Sequence, residues 1–447
     1  MMDASAEDAS PAGDGLTVRL TEVAALGNLR VVLQQCAAGR LRCSEKTSRP
    51  SAATVGVVAA ALVDGDFFDR EPIVAYAWPL LLQAGGVAEL AGGRLQLTGR
   101  GRAALTGPAE QTLRRLWSRW LSHGLIDEMS RIEAIKGQRS ARALTAVKPR
   151  RQAVGQALAS CPVGEWLDVD EVFARVRRHA GDMTVARDVW KLYIAEPQYG
   201  SLGYAGFHDW PVLEGRYVLC LLFEYAAALG LFDVAFADPE GARDDFRNNW
   251  GTDELKQLSR YDGLRAVRLT PLGAYAMDLT PSYERVVQPA SVGPTLEVLA
   301  NLDIVVIGAM CPGDELQLNA YAERISDRVW SLSATSVLAA LDRGRVLEEL
   351  TQFLQQQAGH VLPSSVTTLI RDIAGRSSRV RSLGVVHLID CADAPLAALI
   401  AGDRRCRRLC SAVGSKHLAV PMEHEPEFRK ALRSLGYVLA APPLRRP

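Results

Sequence analysis

Residues 95–105 have the sequence Leu-Gln-Leu-Thr-Gly-Arg-Gly-Arg-Ala-Ala-Leu, and residues 267–277 have the sequence Val-Arg-Leu-Thr-Pro-Leu-Gly-Ala-Tyr-Ala-Met. Both stretches follow the pattern apolar-x-Leu-Thr-x-x-Gly-x-x-Ala-apolar. In each copy we expect a strand to end at the leucine, and Thr98 or Thr270 to cap a short helix that packs back on its own domain. Two copies of one strand-to-helix junction predict two similar domains in the chain.

The residues before the first copy predict a helix, a short strand, two more helices and a hairpin. The predicted segments are the helix 21–37 with Thr21 as a possible N-cap, the strand 41–44, the helices 50–62 and 71–84, and the hairpin 87–97 around Gly92-Gly93. This order is typical of a winged helix, a variant of the helix-turn-helix fold.

The residues before the second copy predict three helices and two wing strands, with longer connections than in the first domain. The predicted segments are the helices 151–160, 169–178 and 213–229, followed by the wing strands 231–236 and 266–269 with a polar insert at 237–261. A loop rich in tryptophan and tyrosine precedes the strongly apolar helix. The sequence therefore predicts a second winged helix.

Strands and helices alternate with short connections in residues 282–447, which predicts a compact α/β module. The predicted fold class is α+β and predominantly helical, with two winged-helix domains followed by this module. The predicted boundaries are a disordered tail at 1–15, winged-helix domain 1 at 16–110, a helical and basic linker at 111–150, winged-helix domain 2 with its insert at 151–285, and the α/β docking domain at 290–440.

The composition is that of a globular protein. The chain of 447 residues is 48% hydrophobic and 23% charged, which excludes a disordered chain, a collagen-like chain and a small disulfide scaffold. The eight cysteines include no Cys-x-x-Cys pair, so we expect reduced thiols in a cytoplasmic protein. Neither a signal peptide nor a membrane span is predicted.

The equal totals of 51 basic and 51 acidic residues hide an uneven distribution. Residues 111–151 carry ten Lys/Arg and three Asp/Glu, whereas residues 152–290 carry thirteen and twenty. Such asymmetry indicates either a local anionic partner or a solvated linker that contacts nothing, and the sequence leaves both open.

Basic residues outside the third helix of the first domain are the candidate DNA contacts. That helix, predicted at 71–84, has no basic residue, so we expect contacts to backbone phosphates rather than base readout. Arg40 and Arg42 precede the second helix, and Arg371, Arg376, Arg379 and Arg381 form a further cluster. The predicted DNA-binding residues are Lys46, Arg49, Arg94, Arg100, Arg102, Arg139, Arg142, Lys148, Arg150, Arg151, Arg404, Arg405, Arg407 and Arg408. Protein-binding winged helices with ordinary surface arginines are the alternative.

Motifs for bond chemistry are missing from the sequence. It contains no Gly-x-x-x-x-Gly-Lys-Ser/Thr phosphate-binding loop, no Asp-Glu-x-His box, no Gly-x-Ser-x-Gly and no His-Glu-x-x-His. One weak nuclease pattern remains, because Glu254-Leu-Lys256 follows Asp238. The segment has the pattern of a surface helix and not of a core strand, so a solvated insert is the favoured explanation. We therefore predict a protein that is not an enzyme, with no catalytic residue, metal or cofactor.

The module at 282–447 has a familiar pattern. The segment Asn301-Leu-Asp-Ile-Val-Val, the helix 316–325, the segment Val329-Trp-Ser-Leu-Ser and the segment Leu362-Pro-Ser-Ser-Val resemble the domain that precedes the motor in XPB-type DNA helicases. The same domain occurs in bacterial helicase-associated proteins and in the TFIIH subunit that docks XPB. Upstream, Gly164-Glu-Trp-Leu-Asp-Val-Asp-Glu-Val and Val267-Arg-Leu-Thr-Pro-Leu-Gly resemble the winged-helix part of those bacterial proteins.

The resemblance implies a role in DNA unwinding, repair or defence, and it implies no catalytic residues for the module. The motifs of the helicase motor are missing from this sequence, which puts helicase activity in doubt. The expected function is therefore a non-enzymatic accessory protein that binds DNA and docks a separate XPB-like helicase or ATPase. The alternative is a stand-alone winged-helix transcriptional regulator.

Overall fold

The computed structural model describes residues 15–140, 142–181, 183–205, 210–284, 295–308, 310, 312–377, 379 and 384–440. The predicted tail at 1–15 lies outside the described residues except for Gly15. The chain is a mixed α/β protein that divides into two compact units, residues 1–369 and residues 370–447. The first unit contains three parts, which follow one another in sequence.

The first part contains the predicted helix, strand, helix, helix and hairpin in that order. Its elements are β1 (Thr17–Arg19), α1 (Thr21–Ala37), α2 (Ala52–Ala59), α3 (Val74–Ala84), β2 (Ala88–Ala91), β3 (Arg94–Leu97) and α4 (Gly99–Ala104). The predicted short strand is present as isolated bridges, in which Arg42 pairs with Arg94 of β3. Leu41 and Cys43 also hydrogen-bond to Leu95 and Gly93 through their backbones.

Residues 105–146 connect the first part to the second. They contain α5 (Ala109–Ser122), a 3-10 turn at Glu128–Arg131 and β4 (Ile135–Lys136). The structure differs here from the linker predicted at 111–150, because Leu116 and Trp120 of α5 are completely buried. This segment therefore belongs to the folded body and does not separate two independent domains.

From α1 onward, the element order of the first part recurs in the second part, with one added short strand, β6. Its elements are α6 (Val147–Leu158), β5 (Trp166–Asp168), α7 (Val169–His179), β6 (Tyr193–Ile194), α8 (Arg216–Cys220), β7 (Phe232–Phe236), β8 (Leu264–Leu269) and α9 (Pro271–Ala276). The residues on both sides of α8, Pro211–Gly215 and Leu221–Ala226, have π-helical hydrogen bonding. One continuous helical segment, 211–226, therefore occupies the position of the third helix.

The two copies of the repeated sequence motif have the same local geometry. Thr98 accepts a hydrogen bond from the backbone N–H of Gly101, and Thr270 accepts one from Gly273. Thr98 also donates to the Val87 carbonyl, as Thr270 donates to the Leu231 carbonyl. Both predicted caps are confirmed. Each threonine joins the end of the last hairpin strand to the residue just before the first one.

A single hydrophobic core extends through both parts. Phe67 of the first part stacks on Phe223 of the second, with ring centroids 4.8 Å apart. Trp120 stacks on Tyr225 at 4.1 Å. In addition, β1 pairs with β7 and so completes a four-stranded sheet in the order β1-β7-β8-β5. The two parts are therefore fused into one body.

The third part begins with two paired strands, as predicted. Its elements are β9 (Leu296–Val298), β10 (Asp303–Val306), α10 (Pro312–Tyr321), β11 (Ala322–Ser326), β12 (Val329–Leu332), α11 (Ala334–Asp342), α12 (Leu347–Ala358) and α13 (Ser364–Ser377), which crosses the boundary between the units. The strands form an antiparallel sheet in the order β11-β12-β10-β9. Gln34 of α1 donates to Glu349 of α12 at 2.9 Å, which attaches this part to the first part.

The second unit is a small α/β layer structure. Its elements are β13 (Val386–Asp390), α14 (Ala394–Gly402), β14 (Ser411–Val413), β15 (His417–Pro421) and α15 (Glu425–Ser434), and its sheet order is β13-β15-β14. Its core includes Ile389, Leu418 and Phe428. Across the described residues of the whole chain, no helix combines the length and apolarity needed to cross a bilayer.

Candidate nucleic-acid interface

The hairpin of the first part presents basic side chains to solvent. Side chains alternate along β3, so Leu95 and Leu97 are buried while Arg94 and Gln96 are exposed. The bridge between the strands puts Arg94 directly opposite Arg42, which is also exposed. Like charges at opposite positions of two strands destabilise the pairing. A bound anion would relieve this repulsion.

Most of the other predicted residues near the hairpin are also exposed. Lys46, Arg100 and Arg102 are all accessible, and Arg102 donates to the Leu97 carbonyl at 2.9 Å. Arg49 is only partly exposed, because it donates to the Ser130 hydroxyl at 2.7 Å. The hairpin, α4 and the segment between α1 and α2 thus form a basic edge. We call it the wing surface and define it as Arg42, Lys46, Arg94, Arg100 and Arg102.

The predicted residues of the connecting segment divide into two groups. Arg139, Arg142 and Lys148 are exposed. Arg150 and Arg151, in contrast, are 2% and 0% exposed. They form ion pairs with Asp127 and Glu128, and the guanidinium of Arg151 also lies over the ring of Trp120.

Arg150 and Arg151 are buried and stabilise the fold of the first unit. Burial lowers the pKa of Arg151, but the Glu128 carboxylate more than offsets this and holds the pKa above its ordinary value. Arg151 also donates to the carbonyls of Trp120, His123 and Ile126. Buried side chains with these partners cannot reach DNA phosphates, so we leave both residues out of the interface.

The second unit carries the other predicted cluster. Cys406 and Cys410 are buried, whereas Arg404, Arg405, Arg407 and Arg408 around them are exposed. The buried sulfurs anchor the turn after α14 and so direct the arginines outward. Arg371, Arg376 and Arg379 are likewise exposed, and Arg381 lies outside the described residues.

The third helices of both parts lie inside the protein. In α3, Trp78 and Leu80 to Leu82 are completely buried, and Tyr76 is covered by the guanidinium of Arg131 at 3.6 Å. In the segment 211–226, even the charged residues Glu214, Arg216 and Glu224 are 0% exposed. A helix that reads DNA bases must enter the major groove, and neither of these helices has an accessible face for it.

The weak nuclease pattern has no support in the local geometry. Lys256 lies on an exposed turn, where its ammonium group is 2.7 Å from the Glu240 carboxylate. Glu254 is exposed on the same turn and belongs to no strand. Within the described residues, no group of three or more His, Cys, Asp or Glu side chains is placed to hold a metal ion.

The structure contains one further basic feature, a cavity, that the sequence patterns do not predict. A cavity of about 390 Å³ lies between the end of α1, α10 and the turn after α11, and Arg40, Arg343 and Arg345 line it. Its only signal in the sequence is the Arg-Gly-Arg segment at 343–345. The cavity requires that α1 and the third part pack together, which local patterns do not show.

Comparison with known families links the third part to helicases. Residues 296–412 match the model of a family described as the helicase conserved C-terminal domain. The match covers 117 of the 447 residues, from β9 to the middle of β14. It points to a helicase-related protein. No curated protein matches the chain.

Proposed function

We propose that this protein is a non-enzymatic accessory factor that holds DNA by its phosphate backbone and docks a separate XPB-like helicase in DNA repair or defence. The observation that carries the proposal is that the helicase-related segment begins in the same compact unit as the wing surface. A DNA contact and a helicase-related domain in one body would hold a helicase near its substrate.

The charge on the wing surface supports backbone binding. Its five cations are exposed, and Arg42 faces Arg94 across two strands. Contacts to phosphates need a positive surface but no base-reading helix, and they supply most of the sequence-independent affinity for DNA.

The burial of both third helices favours this role over a stand-alone transcriptional regulator. A regulator needs sequence preference, and in winged helices the third helix usually supplies it from the major groove. Here α3 and the segment 211–226 pack into the shared core and are not accessible.

DNA binding is tested with the full chain and a fluorescent duplex of random sequence. We expect binding that weakens steeply with salt, and that is reduced about tenfold in the variant Arg42→Ser/Arg94→Ser, because two phosphate contacts are removed. Gln96→Ser is the matched control, since Gln96 is exposed on the same face of β3 but is uncharged. Equal loss in the control, or strong preference for one sequence, would overturn the backbone model.

Docking is tested by affinity capture of the tagged chain from its native host in gentle salt. We expect an ATPase with phosphate-binding-loop motifs to be recovered, and to bind the purified chain directly when both are mixed. Purified chain that hydrolyses ATP or cuts DNA by itself would contradict the non-enzymatic role.

A further inference from the structure

We propose that the cavity lined by Arg40, Arg343 and Arg345 binds a phosphate of the nucleic-acid backbone. The inference rests on the proposed function and adds a contact site that extends the wing surface into the third part. The lining residues are Gln34, Ala37, Ala38 and Arg40 from α1 and its end, Leu316, Asn319 and Ala320 from α10, and Arg343 and Arg345 from the following turn. Every charged side chain among them is an arginine.

Arg345 is built into the wall of the cavity. It is 9% exposed, and its Nη2 lies 2.8 Å from Oε1 of Glu349, while its Nε has no hydrogen-bond partner. Glu349 already accepts hydrogen bonds from Gln34 and from the Tyr321 hydroxyl at 2.9 and 2.8 Å. One carboxylate is thus shared among several donors, and a buried donor without a partner is costly. Because Nε is enclosed in the wall, Arg345 contributes positive charge to the cavity, and the exposed Arg40 and Arg343 supply the donors that an anion there can reach.

Neutral groups in the wall add hydrogen-bond capacity. The side-chain oxygen of Asn319 accepts from Nε1 of Trp330 at 2.8 Å, so the amide NH₂ is the group left to donate.

The turn at Gly344 brings its two neighbouring arginines to the cavity. Gly344 has a φ of +83°, a left-handed conformation that glycine adopts readily. Guanidinium groups with several directed donors are well suited to phosphate oxygens.

The surroundings favour a nucleic-acid strand over a small anion. A Cβ added to Gly344 would lie 4.0 Å from Cδ of Arg102, so the cavity turn adjoins the wing surface. On the other side, Arg40 is two residues from Arg42, which faces Arg94. The cations therefore form a continuous track from the hairpin into the cavity. A track of this kind suits a polymer with a charge on every residue.

The test uses the full chain, fluorescent single-stranded and duplex DNA, and the variant Arg40→Ser/Arg343→Ser. Both arginines are exposed, so the fold should be retained, as checked by thermal melting. We expect DNA binding to weaken about tenfold at low salt. Arg30→Ser is the matched control, because Arg30 is exposed on the same helix but lines a different cavity, and it should change binding less than twofold.

Two results would contradict the cavity proposal, one from DNA binding by the variants and one from melting in inorganic phosphate. Unchanged DNA binding in Arg40→Ser/Arg343→Ser, with loss in Arg42→Ser/Arg94→Ser, would overturn the cavity proposal and leave the proposed function intact. If the wild-type chain bound no DNA but phosphate raised its melting temperature through Arg40 and Arg343, the cavity would take a free phosphate. That result would contradict both the strand proposal and the proposed function.

Discussion

Arg131 and Glu224 form a buried ion pair, with Nη2 of the arginine 2.9 Å from Oε2 of the glutamate, although 93 residues separate them in the chain. Burial alone lowers the pKa of Arg131, but the adjacent carboxylate more than offsets this and raises it. Glu224 also accepts from the hydroxyl of Tyr261, and Arg131 covers the ring of Tyr76. One pair therefore connects α3, the connecting segment and the third helix of the second part.

Glu224→Gln is predicted to destabilise the first unit strongly. The substitution keeps the volume of the side chain but leaves the Arg131 charge buried without a counter-charge, which costs about 3–5 kcal/mol. Urea denaturation followed by circular dichroism measures the loss. Lys256→Gln is the control, because it breaks an exposed pair with Glu240 that contributes less than about 1 kcal/mol. Equal effects in the two variants would show that the buried pair does not hold the parts together.

Gly101→Ala and Gly273→Ala are predicted to destabilise the two repeated junctions in the same way. A Cβ at Gly101 would lie 2.0 Å from the Val87 carbonyl oxygen, and one at Gly273 would lie 2.2 Å from that of Leu231. Relief of such a clash requires backbone shifts that cost about 1–3 kcal/mol. Thermal melting measures the effect.

Gly99→Ala is the control for these glycines, because it lies in α4 with no atom within 4 Å of an added Cβ. It should leave the melting temperature unchanged or slightly raised. A stabilised Gly101→Ala variant would mean that the junction is looser than its hydrogen bonds indicate.

Local sequence patterns were sufficient at several places where the stabilising contacts are also local. The helix predicted at 21–37 is observed with those bounds, and both threonine caps are present. Thr21, predicted as a possible cap, instead donates its hydroxyl to the Phe232 carbonyl at 2.7 Å, and Leu20 occupies the cap position. The partner of Thr21 comes from β7, so no local pattern could identify it.

In the candidate site, too, the sequence predicts features that depend on local contacts and misses those that depend on distant ones. The outward position of Arg94 follows from strand alternation, which a sequence displays directly. Arg150 and Arg151 lie in a segment that has the composition of a basic linker. Their burial depends on how α5 and α6 pack and on the carboxylates of Asp127 and Glu128. Counting charged residues gives the sign of the net charge of a segment, but it does not show in which direction the side chains point.

Three buried cysteines of the first unit, Cys36, Cys43 and Cys161, are predicted to be unreactive in the folded protein. Burial raises the pKa of the Cys36 thiol to about 12 and those of Cys43 and Cys161 to about 11. At pH 8 the thiolate fraction of Cys36 should therefore be about 10³-fold below that of a free cysteine, since the thiolate is the reactive form. Iodoacetamide labelling with mass spectrometry, in buffer and in urea, measures the difference.

The same pKa shifts predict a loss of stability in alkali. Above about pH 8.5 these thiols ionise in the unfolded chain before they ionise in the folded one, so the unfolded state binds fewer protons. The free energy of unfolding should then decrease as the pH rises from about 8.5 towards 11 or 12.

In the iodoacetamide experiment, labelling of Cys36 in buffer as fast as in urea would contradict its burial.

The arginines of the second unit are predicted to make their own phosphate contacts. Arg407 and Arg408 are exposed next to the buried Cys406, so Arg407→Ser/Arg408→Ser should keep the fold and its melting temperature. If each arginine neutralises one phosphate, the slope of log K against log salt should become shallower by about 0.9 for each of them on duplex DNA. Titrations at several salt concentrations give the slope. Lys430→Ser, an exposed change on α15, should leave it unaltered. An unchanged slope in the double variant would exclude Arg407 and Arg408 from the phosphate contacts.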